Sequence, residues 1–326
     1  MTLKTSTPEN LFLDHSRVEK PIIAGPMYPC SNPELVAAVS NSGGLGIIQP
    51  ISLTFVHKYE LRQGIKFIRT LTSKPIGFNV LIEKSSSRYQ QKMQEWVDIA
   101  LEEEIRFFIT SLGNPKWVVD RVTPLGGIVY HDVTEKKWAD KGLDSGAKGL
   151  IAVNNRAGGH AGHLSAKKLF EELSSLKVPL ICAGGIAGRT DYLNALGLGY
   201  QGVQMGTRFI ATEECSASTV YKNAIVTAKE EDIVLSEKIT GVPVSVIKTP
   251  FIEAMGYKAG RLTKYLLSKK KTKHWVRTFY AVMSLFKFRK SLFDETGKKE
   301  FWQAGKSVDK IDEILSVREV FNEIGE

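Results

Sequence analysis

Eight short apolar runs recur through the first two thirds of the 326-residue chain, and this rhythm constrains the fold more than any other feature. Each run ends in glycine, proline or polar residues. The apolar content of each run is nearly continuous, which is typical of parallel strands buried on both faces. The runs span residues 21–27, 44–50, 75–82, 105–111, 126–133, 149–155, 179–186 and 202–209. Helical patterns separate them; within 89–104, for example, apolar residues recur at spacings of three and four.

A strand followed by a helix, repeated until the eighth run ends at Phe209, has the length and order of a (β/α)8 barrel. A doubly wound open sheet is the competing fold. Because no G-x-G-x-x-G of the Rossmann type follows the first strand, we predict an α/β protein with a (β/α)8 TIM barrel.

The rhythm stops after the eighth run. We predict a helix over 211–230, a basic helical segment over 261–290 and a terminal helix over 308–324. The predicted domains are a barrel over 1–212, a smaller and mainly helical accessory domain over 213–298 that serves as a substrate or lid domain, and a C-terminal segment over 299–326 that returns to the barrel.

The net charge of +9 is concentrated in one segment. Thirteen of the 44 Lys/Arg but only three of the 35 Asp/Glu lie between Tyr257 and Glu300, so this segment carries +10 and the rest of the chain −1. Such a local excess argues against a protein that coats nucleic acid and indicates a local function. A solvated helix face is the simpler alternative.

Membrane insertion and metal binding are not expected. The N-terminal MTLKTSTPEN is polar, and the first apolar run is too short and too interrupted by glycine and proline to cross a bilayer. Cys30, Cys182 and Cys215 lack the spacing of metal ligands, and their odd number argues against a disulfide framework. We therefore expect a cytoplasmic protein.

The run NNRAGGHAG (154–162) follows a short apolar strand and precedes a helical stretch near Ser165. Gly158, Gly159 and Gly162 surround one imidazole, that of His160. Glycine allows positive φ and close approach of the backbone to a ligand, so this loop could place flat backbone and a titratable ring against one cofactor. We interpret it as the catalytic loop of a flavin enzyme. A turn with a structural histidine is the alternative.

The ends of the seventh and eighth strands read AGGIAG (183–188) and QMGTRF (204–209). The usual phosphate site of these barrels lies in the loops after strands 7 and 8. Gly184, Gly185 and Gly206 would expose backbone N–H groups to phosphate oxygens, and Thr207 would add a hydroxyl donor. Two tight turns would explain the same glycines.

Other strand ends carry further candidates. Strand 1 ends in Gly-Pro-Met, and Asn79 is the one polar side chain in strand 3. A buried amide needs partners, which a flavin edge or a neighbouring strand end would supply. His131 and Asp132 end strand 5, where they form a structural pair or reach the ribityl and phosphate side of a flavin. His163 lies just beyond the catalytic loop and is better explained as a helix-start residue.

Taken together, these strand ends resemble the nitronate monooxygenase family, formerly called 2-nitropropane dioxygenases, which are FMN-dependent (β/α)8 barrels. The resemblance covers nearly the whole chain in order. Its motifs are AGPM (24–27), Asn79, AGGHAG (157–162), AGGI (183–186), MGT (205–207) and FWQAGKSV (301–308). Flavin-dependent enoyl-acyl-carrier-protein reductases share the fold and the GGH and AGGI loops.

The resemblance implies an FMN-binding barrel with His160 as the catalytic residue near the reacting carbon. It implies that Met27 packs on the flavin and Asn79 bonds to it, while the glycines after strands 7 and 8 and Thr207 hold the phosphate. The remaining cofactor-binding candidates are Gly25, Pro26, Asp132, Gly158, Gly159, Ala183, Gln204 and Met205. Two positions depart from the pattern: Ala161 stands where members often have Arg, and HDVT (131–134) stands where some have Lys.

Three functions follow as hypotheses. The first is FMN-dependent oxidation of alkyl nitronates with O2, with nitroalkanes as further substrates. The second is NAD(P)H-dependent reduction of an enoyl thioester, in which the basic segment steers an acidic carrier protein or coenzyme A. The third is a non-catalytic or membrane-surface protein, because TFYAVMSLFKFRK (278–290) has the composition of an interfacial helix. The use of NAD(P)H and the formation of a homodimer stay open.

Overall fold

The computed structural model describes residues 10–83, 86–260, 269–298 and 300–325. Eight parallel strands form a closed barrel in which each strand pairs with the next and the eighth pairs with the first. They are β1 (Ile22–Ala24), β2 (Leu45–Ile48), β3 (Ile76–Ile82), β4 (Phe107–Leu112), β5 (Ile128–Val133), β6 (Gly149–Val153), β7 (Leu180–Ala183) and β8 (Gly202–Met205). The predicted TIM barrel is confirmed.

Helices precede the barrel and connect its strands. They are α1 (Leu11–Ser16), α2 (Pro33–Asn41), α3 (Leu61–Leu71), α4 (Ser87–Glu102), α5 (Lys116–Val122), α6 (Lys136–Asp144), α7 (Ala166–Leu173) and α8 (Arg189–Leu198). A π-helical turn, Ser52–Val56, follows β2, and 3-10 turns follow α5 (Thr123–Leu125) and α7 (Ser174–Leu176). Several helices start at capping side chains; Ser165, for example, accepts a hydrogen bond from Lys168 N and begins α7 directly after the candidate catalytic loop.

The chain after β8 mixes helices with one β-hairpin. Its elements are α9 (Thr207–Ile210), α10 (Thr219–Thr227), a 3-10 turn (Glu230–Asp232), the antiparallel pair β9 (Ile233–Ser236) and β10 (Val244–Ile247), α11 (Pro250–Met255), α12 (Lys270–Leu292), a second 3-10 turn (Lys306–Lys310) and α13 (Val317–Gly325). None of the helices in these described ranges has the length and apolarity that crossing a bilayer requires.

Two helix predictions were wrong in extent. The helix predicted over 211–230 is only α10, which Ser218 caps, and the terminal helix begins at Val317 rather than near residue 308. The basic helix over 261–290 is observed as α12, while residues 261–268 of that prediction lie outside the described part.

Alternation along the strands sends every second side chain into the barrel. The lower interior is apolar and includes Phe12, Ile23, Leu45, Ile47, Phe107, Ile109, Tyr130, Ile151, Ile181 and Ala183. Phe12 reaches this cluster from α1, where its ring centroid lies 5.9 Å from those of both Phe107 and Tyr130. Because Asn10 also donates to the carbonyl of Gln201, just before β8, α1 closes the N-terminal end of the barrel.

Candidate active site

Three polar side chains face the interior at the C-terminal end of the barrel. Asn79 of β3 pairs in register with Ile109, Asp132 of β5 with Ile151, and Gln204 of β8 with Ile23. These apolar partners belong to the interior cluster, and residues in register on parallel strands share a face. Asn79, Asp132 and Gln204 therefore form a polar layer above the apolar interior.

Each member of this polar layer has a buried oxygen without a hydrogen-bond partner among the described residues. The atoms are Asn79 Oδ1, Asp132 Oδ1 and Gln204 Oε1. An unsatisfied buried acceptor costs about 1–3 kcal/mol, and native proteins rarely leave several together. Three acceptors at one barrel mouth indicate a ligand that carries hydrogen-bond donors.

Asp132 and His131, adjacent in sequence, point to opposite faces of β5. Burial raises the pKa of the Asp132 carboxyl to about 7. The His131 ring lies outside the barrel, with Nδ1 2.9 Å from Thr110 Oγ1, and burial lowers its pKa to about 4. A Cβ on Gly142 of α6 would lie 2.9 Å from the His131 ring, so this histidine packs between strand and helix. His131 is structural, and only Asp132 reaches the mouth.

The glycines after β7 are required by the loop after β6. Gly184 has φ +115°, and a Cβ there would lie 2.6 Å from both Ala157 N and Asn154 Oδ1. Gly185 has φ +78°, and its Cβ would lie 2.8 Å from Arg156 Nε. The two loops are therefore in direct contact. Ala183 ends β7 inside the barrel, and its carbonyl accepts from the Asn154 N–H at 2.9 Å.

The end of β8 leaves more room. A Cβ on Gly206 would lie 3.5 Å from Met27 Sδ, an ordinary contact distance, so packing alone does not demand glycine here. Thr207 is buried, and its Oγ1 accepts a hydrogen bond of 2.9 Å from Gly305 N. The Thr207 hydroxyl proton is thus left for a second partner, such as a phosphate oxygen. The Met205 side chain packs in the core outside the barrel.

The β1 end lies beside β8. The Gly25 N–H donates to the Met205 carbonyl at 2.9 Å, and a Cβ on Gly25 would lie 3.0 Å from Gln204 Cγ. Pro26 and Met27 follow, both half-buried. Gln204 therefore sits against the β1 end, and the Met27 side chain is placed next to Gly206 at the rim of the mouth.

The loop after β6 starts at the C-terminal end of its strand and carries His160 as a solvent-exposed residue. The surrounding protein still desolvates the imidazole enough to lower its pKa. Gly159 has φ +66°, and its carbonyl accepts from Ser245 N of β10 at 2.8 Å. His163 is exposed in the same loop, two residues before the Ser165 cap. His160 is the candidate catalytic histidine of this loop, with a pKa below the ordinary value of the imidazole.

Residues 302–306, which we call the strap, cross the mouth and connect its parts. Gln303 Nε2 donates to the Tyr28 carbonyl at 3.0 Å, Lys306 N donates to the Arg156 carbonyl at 2.9 Å, and Ile247 N donates to the Trp302 carbonyl at 2.9 Å. The strap thus links the loops after β1 and β6 to β10. Sequence reasoning noted the FWQAGKSV motif but missed Gln303 and Arg156 as parts of the site.

The backbones of Gly158 and Gly305 are in close contact where the strap crosses the catalytic loop. A Cβ on Gly305 would lie 2.6 Å from Gly158 N and 2.7 Å from the Arg156 carbonyl oxygen, and a Cβ on Gly158 would lie 3.1 Å from Gly305 N. The glycine of the loop is therefore matched to a glycine about 150 residues away, a pairing that no local pattern displays.

Glu230 bridges two cations at this crossing. Its carboxylate contacts Arg156 at 2.7 Å and Lys306 at 3.4 Å. Burial opposes ionisation of Glu230, but the hydrogen bonds and charges of Arg156 and Lys306 outweigh it and lower the pKa of the carboxyl. In the described ranges, no group of three His, Cys, Asp or Glu side chains is arranged to hold a metal ion.

A closed (β/α)8 barrel with acceptors in its mouth, glycine loops after β7 and β8 and a histidine loop after β6 has the architecture of a flavin-dependent oxidoreductase. The family model for nitronate monooxygenase matches residues 9–326. The chain belongs to the nitronate monooxygenase family.

The chain is similar to two relatives whose names describe different reactions. A (3aS,4S,5R,7aS)-5-hydroxy-7a-methyl-1-oxo-octahydro-1H-indene-4-carboxyl-CoA dehydrogenase from Rhodococcus jostii (strain RHA1) is 28% identical over 255 residues, which are 78% of this chain and 68% of the relative. A probable nitronate monooxygenase from Staphylococcus aureus (strain Newman) is 26% identical over 296 residues, 78% of this chain and 82% of the relative.

Solved structures agree on the fold. FabK from Thermotoga maritima superposes with a TM-score of 0.80 at 28% identity, covering 98% of this chain and 95% of that one. Nitroalkane oxidase from Streptomyces ansochromogenes superposes with a TM-score of 0.75 at 22% identity, covering 97% and 98% of the two chains. At that identity the second similarity establishes the fold alone.

Proposed function

We propose that this protein binds FMN at the C-terminal mouth of its barrel and oxidises alkyl nitronates, with O2 as the second substrate. The observation that carries the proposal is the polar layer of Asn79, Asp132 and Gln204, whose oxygens lack partners. The isoalloxazine N–H and the ribityl hydroxyls are donors of the kind these acceptors need. The free hydroxyl proton of Thr207 and the backbone around Gly206 suit the phosphate.

Bound FMN supplies an electron acceptor that O2 can reoxidise, and the chain supplies the proton chemistry and the pocket. The lowered pKa of His160 favours the neutral imidazole at physiological pH. A neutral ring accepts a proton from the α-carbon of a nitroalkane, whereas an imidazolium would hold the anionic nitronate. Of the two roles, the base is therefore the better supported.

A nitronate has already lost its α-proton, so the two substrates separate the roles of His160. His160→Asn is expected to lower nitroalkane turnover by about 10²–10⁴-fold, because general-base catalysis contributes that much, and to affect nitronate turnover far less. His163→Asn, in the same loop, is the matched control and should leave both rates unchanged. Equal loss on both substrates would instead assign His160 to anion binding, and no loss on either would remove it from the site.

The reaction itself is tested by an anaerobic absorbance spectrum of the flavin-loaded protein. Adding an alkyl nitronate without nicotinamide should bleach the flavin absorbance, and admitting air should restore it. A spectrum that stays oxidised under excess nitronate would overturn the monooxygenase proposal. Protein that fails to take up FMN at all would overturn the cofactor assignment as well.

Reduction of an enoyl thioester with NAD(P)H is the second candidate. The basic segment 257–300 favours it, as do two 28%-identical proteins, one a CoA-ester dehydrogenase and the other FabK, an enoyl reductase. Under this reaction NAD(P)H would bleach the flavin anaerobically and a short 2-enoyl-CoA would restore it. Bleaching by nitronate without any effect of the enoyl-CoA would exclude this candidate.

The state of the cysteines bears on the cellular compartment. We propose a cytoplasmic enzyme, because the three cysteines are free and buried, as expected in a reducing compartment.

We also propose that residues 213–298 act as the substrate or lid domain of a barrel over 1–212, since β10 and α12 contact the loops that carry Gly159 and Tyr28.

A further inference from the structure

One face of α12 exposes a continuous apolar stripe. Twelve large apolar side chains are exposed among the described residues, and five of them lie on α12 or directly after it. These five, which we call the stripe, are Phe279, Val282, Met283, Phe286 and Phe293. Their spacings of three, four and seven residues place them on one helix face over roughly 20 Å. Scattered exposed apolar residues are normal, but a concentrated patch marks an interaction surface.

The opposite face of α12 is already packed. Ser284, Phe288 and Leu292 are buried against the protein, and the Tyr28 hydroxyl donates to the Leu285 carbonyl at 2.6 Å. This face therefore holds the helix beside the barrel mouth. The stripe lies on the other face, where Phe286 and Phe293 approach the rings of Phe55 and His57 at centroid distances of 5.2 Å and 6.3 Å but stay about half exposed.

Two cations lie beside the C-terminal half of the stripe. Beside Phe286, the ring of Phe55 lies 5.2 Å away, with Lys58 Nζ 4.9 Å and the Arg289 guanidinium 5.1 Å from the centroid of that ring. In sequence, residues 258–293 contain 11 Lys/Arg and no Asp or Glu. A helix that combines aromatic and aliphatic residues on one face with a sequence rich in Lys/Arg has the composition of helices that lie in the headgroup region of a membrane.

We propose that the stripe of α12 docks this protein on the surface of an anionic membrane. A second copy of the chain is disfavoured, because a two-fold contact would place the same basic surface against itself. An acidic protein partner fits less well, because none of the five stripe side chains carries a hydrogen-bonding group, whereas protein interfaces hold about one hydrogen bond per 100–200 Å². A bilayer supplies both the acyl boundary and the negative charge that this face needs.

Docking by this face would hold the barrel mouth beside the bilayer, since α12 contacts the loop after β1 through Tyr28. The inference is independent of the reaction, and binding can be measured without turnover. The docking is peripheral, because the stripe occupies one face of the helix only.

Vesicle flotation of the full-length, flavin-loaded protein tests the proposal. We expect flotation with phosphatidylcholine vesicles that contain about one-third phosphatidylglycerol, and at least about ten-fold less binding to pure phosphatidylcholine. Salt near 1 M should weaken the binding, because it screens the charges. Failure to float with the anionic vesicles, or equal flotation with both kinds, would overturn the proposal.

Paired variants distinguish membrane binding through the stripe from non-specific hydrophobic binding. Phe279→Ser with Phe286→Ser should reduce flotation by about ten-fold, because two of the inserted apolar side chains are lost. Leu125→Ser with Leu235→Ser removes two equally exposed apolar side chains elsewhere and should leave flotation unchanged. Circular dichroism and flavin content verify that each variant is folded. Flotation that survives the first pair, or that falls equally with both, contradicts the assignment of the stripe.

The other occupants are distinguished by light scattering and by retention on a protein column. A dimer mass that falls to a monomer mass in the Phe279→Ser, Phe286→Ser variant would show that a second copy covers the stripe, and would overturn the proposal. Retention on an immobilised acidic acyl-carrier protein that the same variant loses, without vesicle flotation, would identify a protein partner and overturn it equally.

Discussion

The N-terminal and C-terminal ends of the barrel are built from the same eight strands but are closed in different ways. At the N-terminal end, Phe12 of α1 fills the barrel and packs against Phe107 and Tyr130. At the C-terminal end, Asp132 takes the inward position two residues beyond Tyr130, with an oxygen that has no partner in the described chain. Alternation fixes which side chains point inward, so the identity of the inward residues decides the character of each end. Apolar side chains form a plug at the N-terminal end, and polar side chains line the mouth at the C-terminal end.

The two ends of the barrel also differ in the contacts that hold them together. The plug depends on side-chain volume and ring contacts. The mouth depends on the strap, which joins the loops after β1 and β8 through hydrogen bonds of Gln303 Nε2 and Gly305 N, and the loop after β6 through the contact between Gly305 and Gly158. Packing energy is concentrated in the plug, and unsatisfied acceptors are concentrated in the mouth. This is the division expected of a (β/α)8 enzyme, in which one end stabilises the fold and the other binds the ligand.

Phe12→Ala should have the largest effect on stability. Phe12 is fully buried and its ring joins the interior of the barrel, so truncation leaves a cavity and is expected to lower the free energy of unfolding by about 3–5 kcal/mol. Urea unfolding followed by circular dichroism measures the loss. Leu11→Ala, at the neighbouring exposed position of α1, is the matched control and should change little. Equal losses would show that α1 matters as a helix rather than as a plug.

Asp132→Asn should act in the opposite direction, with a dependence on pH. Burial raises the folded-state pKa of Asp132 from 3.8 to about 7, so the native state binds the proton more tightly than the unfolded chain. Stability therefore falls as the pH rises from about 4 to about 7, and the variant escapes that loss. In flavin-free protein, its advantage should grow to the order of 4 kcal/mol over this window, at 1.36 kcal/mol per pKa unit, and stay constant above it.

Urea unfolding of the flavin-free protein between pH 4 and pH 8 measures this difference. Asp140→Asn, exposed on α6, serves as the control and should show no such trend. A difference between Asp132→Asn and wild type that does not change with pH would mean that Asp132 is ionised without penalty in the folded protein, and the polar layer would then be wetter than its burial indicates.

The fold was predictable because each strand pairs with the next in sequence, so local periodicity was enough to order the barrel. The region after β8 was not, because distant contacts override helix propensity there. Ser216 N donates to Asn32 Oδ1 and Thr212 bridges to Leu315, so this stretch leaves the helical conformation that its composition favours.

The site was predictable only as far as motifs mark it. The glycine loops and His160 were visible in sequence, but the inward or outward direction of a side chain depends on strand register. Thus the sequence allows His131 and Asp132 either to form a structural pair or to reach a flavin, whereas the register of β5 turns only Asp132 inward. The Met205 side chain likewise lies in the outer core rather than in the mouth. The Gly158–Gly305 contact joins distant segments and has no local signature.

Gly305→Ala tests whether close backbone approach holds the mouth, and its expected effect on stability is the smallest of the three. The new Cβ would meet Gly158 N and the Arg156 carbonyl oxygen at 2.6–2.7 Å, and backbone atoms on both sides cannot give way as a flexible side chain would. Displacement of the strap should lower the free energy of unfolding by about 1–3 kcal/mol. It should also break the hydrogen bond from Gly305 N to Thr207 Oγ1 and so loosen the proposed phosphate site.

Thermal unfolding and flavin retention on gel filtration measure the two effects together. Gly197→Ala is the matched control, because it lies in α8 with no neighbouring atom within 4 Å of the added Cβ, and alanine there should be neutral or stabilising by up to about 1 kcal/mol. If Gly305→Ala keeps both wild-type stability and its flavin, the strap tolerates displacement, and the mouth is held by the loops after β6 to β8 alone. If it loses flavin with little loss of stability, the two ends of the barrel are divided between binding and folding even more sharply than their packing indicates.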